Sequence, residues 1–140
     1  MSILIDTGVW IGYFNIDDSQ AERSNEIIEE VQRGKYGIAW TTTFIIDELF
    51  TFLVRATRNL QLAINATTVV LGKKEDVKPF LRIYCITYEE CLEALNLAER
   101  YKDRQMNFTD LVSIVAYNKL GLSYIASYDN HFTGILTKVD

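Results

Sequence analysis

Asp47 and Glu48 stand side by side in an oily run, Thr42-Thr43-Phe44-Ile45-Ile46-Asp47-Glu48-Leu49-Phe50-Thr51-Phe52-Leu53-Val54. In a helix the two carboxylates have different surroundings. Asp47, Thr51 and Arg55, spaced by four, form a polar stripe that faces solvent. Glu48 has Phe44, Ile45 and Phe52 as its helical neighbours. A carboxylate on an apolar face needs a partner, and one on the solvent face needs none. Glu48 is therefore the candidate for chemistry, and Asp47 belongs to the surface.

Three more acids sit where chain geometry gives them leverage: Asp6, Asp110 and Asp129. Each has an ordinary reading. Asp6 suits a turn in Asp6-Thr7-Gly8, Asp110 suits the first turn of a helix, and Asp129, followed by Asn130, suits a loop. Jointly they say more. Asp6 and Asp129 follow predicted strands, and Glu48 and Asp110 lie near predicted helix starts. In an open parallel sheet these ends share one edge, where ligands bind. Two charges ~5 Å apart at an effective dielectric of ~20 repel by roughly 3 kcal/mol. All pairs among four such acids would cost about as much as the ~5–15 kcal/mol stability of a domain. Either some carboxyls hold protons or a cation lies among them. An all-oxygen set favours Mg²⁺ or Mn²⁺.

The elements that must position these acids alternate. Ile3-Leu4-Ile5 reads as a strand buried on both faces, ended by the turn signal Asp6-Thr7-Gly8. Ser19-Gln20-Ala21-Glu22 fits a capping box for a helix over about 20–33, with Ile27, Ile28 and Val31 as its stripe and Gly34 as its stop. Tyr36 to Thr41 reads as a strand, and Thr42 or Thr43 caps a helix to about residue 57. A helix over about 60–71 stops at Gly72, and Lys73-Lys74-Glu75-Asp76 reads as a solvated loop. Leu81 to Ile86 reads as a strand. Thr87-Tyr88-Glu89-Glu90 is a second capping box, for a helix with Cys91, Leu92, Leu95 and Ala98 on one face. Asn107-Phe108-Thr109-Asp110 starts a helix that stops at Gly121, and Ser123 to Tyr128 is the last clear strand. The alternation predicts an α/β fold with a mainly parallel central sheet flanked by helices.

Bulk properties narrow the class. The 140 residues fit one domain, 1–140, with 49% hydrophobic residues to form its core. The net charge of −5 opposes a general nucleic-acid coat but not an enzyme whose acids hold metal ions. Met1-Ser2-Ile3-Leu4-Ile5-Asp6 lacks a basic leader, and no run approaches the ~20 apolar residues of a membrane helix, so a cytoplasmic protein without membrane association is expected. Cys85 and Cys91 lack zinc-knuckle spacing, His131 is the only histidine, and two free buried thiols are expected.

In order and spacing the acid-bearing segments resemble the motifs of PIN-domain ribonucleases, and among them the VapC-type toxins of toxin–antitoxin pairs. Ile3-Leu4-Ile5-Asp6-Thr7 is similar to the first motif, Thr42-Thr43 through Asp47-Glu48-Leu49 to the second, Phe108-Thr109-Asp110 to the third, and Ser127-Tyr128-Asp129-Asn130-His131-Phe132 to the fourth. The likeness spans almost the whole chain. It implies a PIN-like fold and a Mg²⁺- or Mn²⁺-dependent endoribonuclease leaving 5′-phosphate and 3′-hydroxyl ends. Asp6, Glu48, Asp110 and Asp129 would be its catalytic metal ligands. Thr7, Thr109 and Ser127 would orient carboxylates or water, cap and turn roles being equally open to them. His131 is expected in a structural or surface role. The resemblance further implies an RNA substrate, a small antitoxin partner and a homodimer. Trp10, Tyr13 and Phe14 are candidates for such an interface or for the core. Arg55, Arg58, Lys102 and Arg104 are candidate RNA contacts or ordinary solvated charges.

Other readings fit less well. A dehalogenase-like phosphatase with Asp6 as nucleophile wants a second Asp where Gly8 stands. A receiver-type phosphoacceptor wants an Asp after a middle strand and a Lys after a later one, and neither Leu81–Ile86 nor Ser123–Tyr128 is followed by the required residue. A PIN domain that binds RNA without cutting, or processes RNA without being a toxin, remains the alternative.

Overall fold

Ile3, Leu4 and Ile5 are completely buried because strand β1 (Ser2–Ile5) is the middle of a sheet covered on both faces. The computed structural model describes residues 1–73 and 80–140. On one side of β1 lie β2 (Ile38–Thr42) and then β3 (Leu81–Tyr84). On the other lie β4 (Tyr124–Ala126) and then β5 (Lys138–Val139). All the pairings are parallel, in the order β3-β2-β1-β4-β5. Strand order reverses between β1 and β4, which places a topological switch point beside the C-terminal end of β1.

Helices fill the connections: α1 (Thr7–Phe14), α2 (Ala21–Gln32), α3 (Thr43–Thr57), α4 (Leu60–Val70), α5 (Tyr88–Arg100) and α6 (Phe108–Leu120). Thr42 caps α3 by accepting a hydrogen bond from the Ile45 N–H at 3.1 Å, a contact typically worth about 1 kcal/mol. Asn107 caps α6 through the Asp110 N–H at 2.8 Å, and Gly121 ends it in the left-handed region at φ 60°. From Asp110 to Ala116 every residue of α6 is buried, so this helix is packed on all sides at its N-terminal half. Trp10 is likewise core rather than interface, stacked on Phe14 with ring centroids 6.0 Å apart. No helix of the described residues is long and apolar enough to cross a membrane.

Several local expectations need correction. Asp6-Thr7-Gly8 does not turn the chain into a loop; helix α1 starts at Thr7 directly after Asp6. The segment reads poorly as a helix because Thr7, Val9, Trp10, Ile11 and Gly12 are all buried, which erases amphipathic periodicity. Ser19 caps nothing. Helix α2 starts from Gln20 without a side-chain cap, while the Asp18 carboxylate accepts from the Gln20 N–H at 2.9 Å. Helix α5 does not bury Leu92 and Leu95, which are exposed. It packs through Glu90 and Ala94 instead. The cysteines are free, as expected, but Cys85 is exposed and Cys91 is half-buried. The loop expected over Lys73–Asp76 lies, beyond Lys73, outside the described residues.

Helices α1 and α2 cross very closely. A Cβ on Gly12 would clash with Ser24 Oγ and lie 3.0 Å from the Gln20 carbonyl oxygen. This close approach carries Ser24, fully buried, to within 2.8 Å of the Tyr128 hydroxyl, which ties α2 to the segment after β4.

Candidate active site

The parallel sheet delivers the acids to one edge. Asp6 is the residue after β1, and Asp129 lies three residues after β4, its immediate neighbour in the sheet. Glu48 comes from the second turn of α3, and Asp110 from the first turn of α6. All four line one cleft of about 170 Å³, together with Thr7, Gly8, Ile11, Phe52, Asn107 and Tyr128. Asp47 is exposed and absent from the cleft lining, whereas Glu48 is half-buried within it. The pair thus divides as its helical positions predict, and of the apolar neighbours of Glu48, Ile45 is buried and Phe52 is exposed.

Asp6 and Asp110 are the buried members of the four. Asp6 is 5% exposed and does not cap α1. It accepts a 2.6 Å hydrogen bond from Ser127 Oγ, and Ser127 Oγ in turn accepts from the Asp129 N–H at 3.0 Å. One buried hydroxyl thus fixes the first carboxylate and the backbone of the fourth. Burial pushes the Asp6 carboxyl up from 3.8 to about 7. The Ser127 and Thr7 hydrogen bonds oppose this, and the nearby charges of Asp110 and Glu48 add to it. Asp110, 3% exposed, is pushed from 3.8 to about 6, again chiefly by burial. The His131 hydrogen bond opposes the shift and the Asp129 charge adds to it.

His131 is closer to the chemistry than its sequence suggests. Its Nδ1 lies 3.1 Å from Asp110 Oδ2 and 3.3 Å from Asp129 Oδ1. Its backbone N–H donates to Asp129 Oδ1 at 2.8 Å, at the start of a 3₁₀ turn over Asn130–Phe132. Asp110, Asp129 and His131 each offer a ligand atom, all within 4.8 Å of one another. The only sequence signal for this contact is the two-residue spacing of His131 from Asp129, which a turn brings onto one side.

Of the hydroxyls proposed to orient the site, Ser127 makes the contacts just described. Thr7 Oγ1 is buried with no hydrogen-bond partner among the described residues. Thr109 is half-buried in the first turn of α6, beside Asp110. Arg104, a candidate RNA contact, is committed elsewhere. Its Nη1 donates to the carbonyl oxygens of His131 and Thr133, both at 2.7 Å. It is neither a solvated charge nor a free cation; it pins the loop that carries Asp129 and His131. Arg55, Arg58 and Lys102 are exposed. Removing the pin with Arg104→Ala is expected to cost about 2 kcal/mol, since hydrogen bonds from a charged group contribute ~1.5–3 kcal/mol each when buried and less when half-exposed. Thermal unfolding should show a midpoint lower by roughly 6 °C. An unchanged midpoint would mean that the loop holds itself.

The donor set suits a hard divalent cation. It is all oxygen apart from one imidazole, and two of its carboxyls are buried and crowded enough to resist ionising alone. A family description of the PIN domain matches residues 3–135. The chain belongs to the PIN-domain family. This PIN domain is similar to a VapC ribonuclease of Archaeoglobus fulgidus, with 26% identity over 138 residues, covering 95% of this chain and 80% of the relative. Its fold is that of VapC20 of Mycobacterium tuberculosis, described as a toxin that cleaves the sarcin-ricin loop. The TM-score is 0.82 at 19% identity, and 98% of each chain is covered. The expected α/β PIN fold with a parallel central sheet is thus the observed one.

Proposed function

We propose that this PIN domain, spanning residues 1–140, is a Mg²⁺- or Mn²⁺-dependent endoribonuclease and the toxin of a toxin–antitoxin pair. The observation that carries the reading is the convergence of Asp6, Glu48, Asp110 and Asp129 on one cleft at the switch point of the sheet. The likeness to a VapC ribonuclease supports RNA as the substrate. A cytoplasmic location, a homodimer and a small antitoxin that covers the acidic cleft complete the proposal, on the strength of the family resemblance.

The four carboxylates would hold the ions, and bound divalent ions supply positive charge to the reacting phosphodiester and acidify water. The chain's own residues prepare that step. Ser127 holds the Asp6 carboxylate in one orientation by a 2.6 Å bond. Asn107, by capping α6, fixes the turn that presents Asp110. The 3₁₀ turn and Arg104 hold Asp129 and His131 at the rim. Ile11, 7% exposed, gives the cleft an apolar patch that strengthens electrostatic interactions there. His131 is a positioning partner for Asp110 and Asp129 in this reading, not a general base.

The test is incubation of purified protein with a total-RNA pool in Mn²⁺, in Mg²⁺ and in chelator. Discrete cuts with 5′-phosphate ends in either metal and none in chelator are expected. Intact RNA under all three conditions, from protein that retains RNA on a filter, would instead support the binding-only alternative.

A further inference from the structure

Phe52 is an aromatic side chain that the fold does not use. It is 43% exposed and belongs to neither hydrophobic cluster of the described residues. Phe108, the other exposed Phe, rests against Phe44 with ring centroids 5.9 Å apart and does not line the cleft. A single exposed apolar residue is ordinary. Its location is what informs here. Phe52 follows Glu48 by four residues on α3, so the two side chains are neighbours on one helix face, and both line the acidic cleft.

The cleft has a binding problem that an aromatic ring solves. Its lining residues include four carboxylates and no Lys or Arg. Pairing of Lys or Arg with phosphate, the usual source of affinity for nucleic acid, is therefore missing from its walls, and the ions that the carboxylates would hold are the one source of positive charge among the lining groups. Stacking of a base on an aromatic ring attracts the strand without using charge, and it tolerates any sequence. Tyr128, the other aromatic in the lining, has its hydroxyl committed to Ser24 at 2.8 Å, which fixes its ring as a wall. Phe52 has no such tie among the described residues, and its ring is open to a partner.

We propose that Phe52 is a stacking platform for an unpaired RNA base next to the phosphodiester held at Asp6, Glu48, Asp110 and Asp129. The proposal rests on the nuclease reading above. It makes Phe52 a specificity-determining residue for unstacked, single-stranded or loop RNA, because a base within a duplex has no free face to offer.

The experiment uses the full chain as wild type, Phe52→Ala and Phe52→Trp. Its substrates are short unstructured RNA oligonucleotides that span sites wild type cuts in the total pool, each with an abasic nucleotide or 2-aminopurine at successive positions. One base flanking the cut should matter to wild type. Its removal should lower kcat/KM roughly tenfold, chiefly through KM. Phe52→Ala should show the same loss on the intact oligonucleotide and no further loss on the abasic one, and Phe52→Trp should restore the base effect. 2-Aminopurine at that position should be quenched on binding to wild type and not to Phe52→Ala. Equal thermal midpoints for the three proteins show that the fold is intact. Overturning results are Phe52→Ala cutting the intact oligonucleotide as wild type does, or a base effect that survives in Phe52→Ala. A loss of antitoxin binding with cleavage unchanged would overturn it too, and would assign Phe52 to a protein interface. If wild type cuts no RNA in either metal, the nuclease reading itself fails and takes this one with it.

Discussion

Replacing Asp110 with Asn is expected to lower metal-dependent RNA cleavage on the order of a thousandfold, since a bound metal supplies several kcal/mol of transition-state stabilisation. Asp47→Asn, one residue from a proposed ligand, is expected to stay within about twofold of wild type, as substitutions of exposed side chains usually do. The contrast follows from position alone. Asp110 is 3% exposed in the cleft, beside His131 and Asp129, whereas Asp47 is on the solvent face of α3. Initial rates on one RNA in Mn²⁺, with metal binding measured by calorimetry, check both variants. Equal losses in the two would remove the distinction between the acids. Normal cleavage by Asp110→Asn would remove Asp110 from the machinery.

The second large effect concerns stability in the absence of metal. The Asp6 carboxyl is pushed to about 7 in the fold, against 3.8 in a solvated chain. A carboxyl with a raised folded value binds its proton more tightly in the native state. Stability is therefore fully present below the unfolded value and declines as pH rises through the folded one, so the loss runs from about pH 4 to about pH 7. Asp6→Asn keeps an oxygen that can accept the Ser127 hydrogen bond and removes the charge. In chelator at pH 8 this variant should be more stable than wild type by up to about 4 kcal/mol, from the conversion of ~1.4 kcal/mol per tenfold change in proton affinity. At pH 4 the gain should nearly vanish. Urea unfolding at the two pH values gives the answer. A gain of the same size at both would point to packing rather than charge. Adding Mn²⁺ at pH 8 should stabilise wild type markedly and the variant little.

What the sequence disclosed followed from local periodicity. Ile3-Leu4-Ile5 announced a buried parallel strand, and it is the centre of the sheet. The separation of Asp47 from Glu48 needed only the helical repeat. The convergence of Asp6, Glu48, Asp110 and Asp129 needed only the rule that strand C-termini and helix N-termini share an edge. What escaped notice depended on tertiary contacts. Helix α1 is buried nearly all round and shows no stripe. The packing face of α5 is set by Ala94 and by Glu90, a buried acid that accepts hydrogen bonds from Tyr84 and Thr87, so hydrophobicity alone picked the wrong side. Strand β5 is only two residues long. The roles of Arg104 and His131 arise from contacts across 27 and 21 residues of chain, which no local window contains.

The place of β1 in the sheet bears on how this PIN domain is made in a living cell. One flank of β1 pairs with β2, which follows it soon in the chain; the other waits for β4, at residues Tyr124–Ala126. The Ser127–Asp6 bond joins residues 121 apart, and Asp129 comes later still. A ribosome releases the chain from its N-terminal end, so a nascent copy carries Asp6 and Glu48 long before it has anything to hold them together. Co-translational folding of the first half yields an incomplete set of carboxylates. A protein that cuts RNA as proposed would thus be synthesised in an inert form, its cutting centre closing only once β4 and the segment carrying Ser127 and Asp129 have emerged.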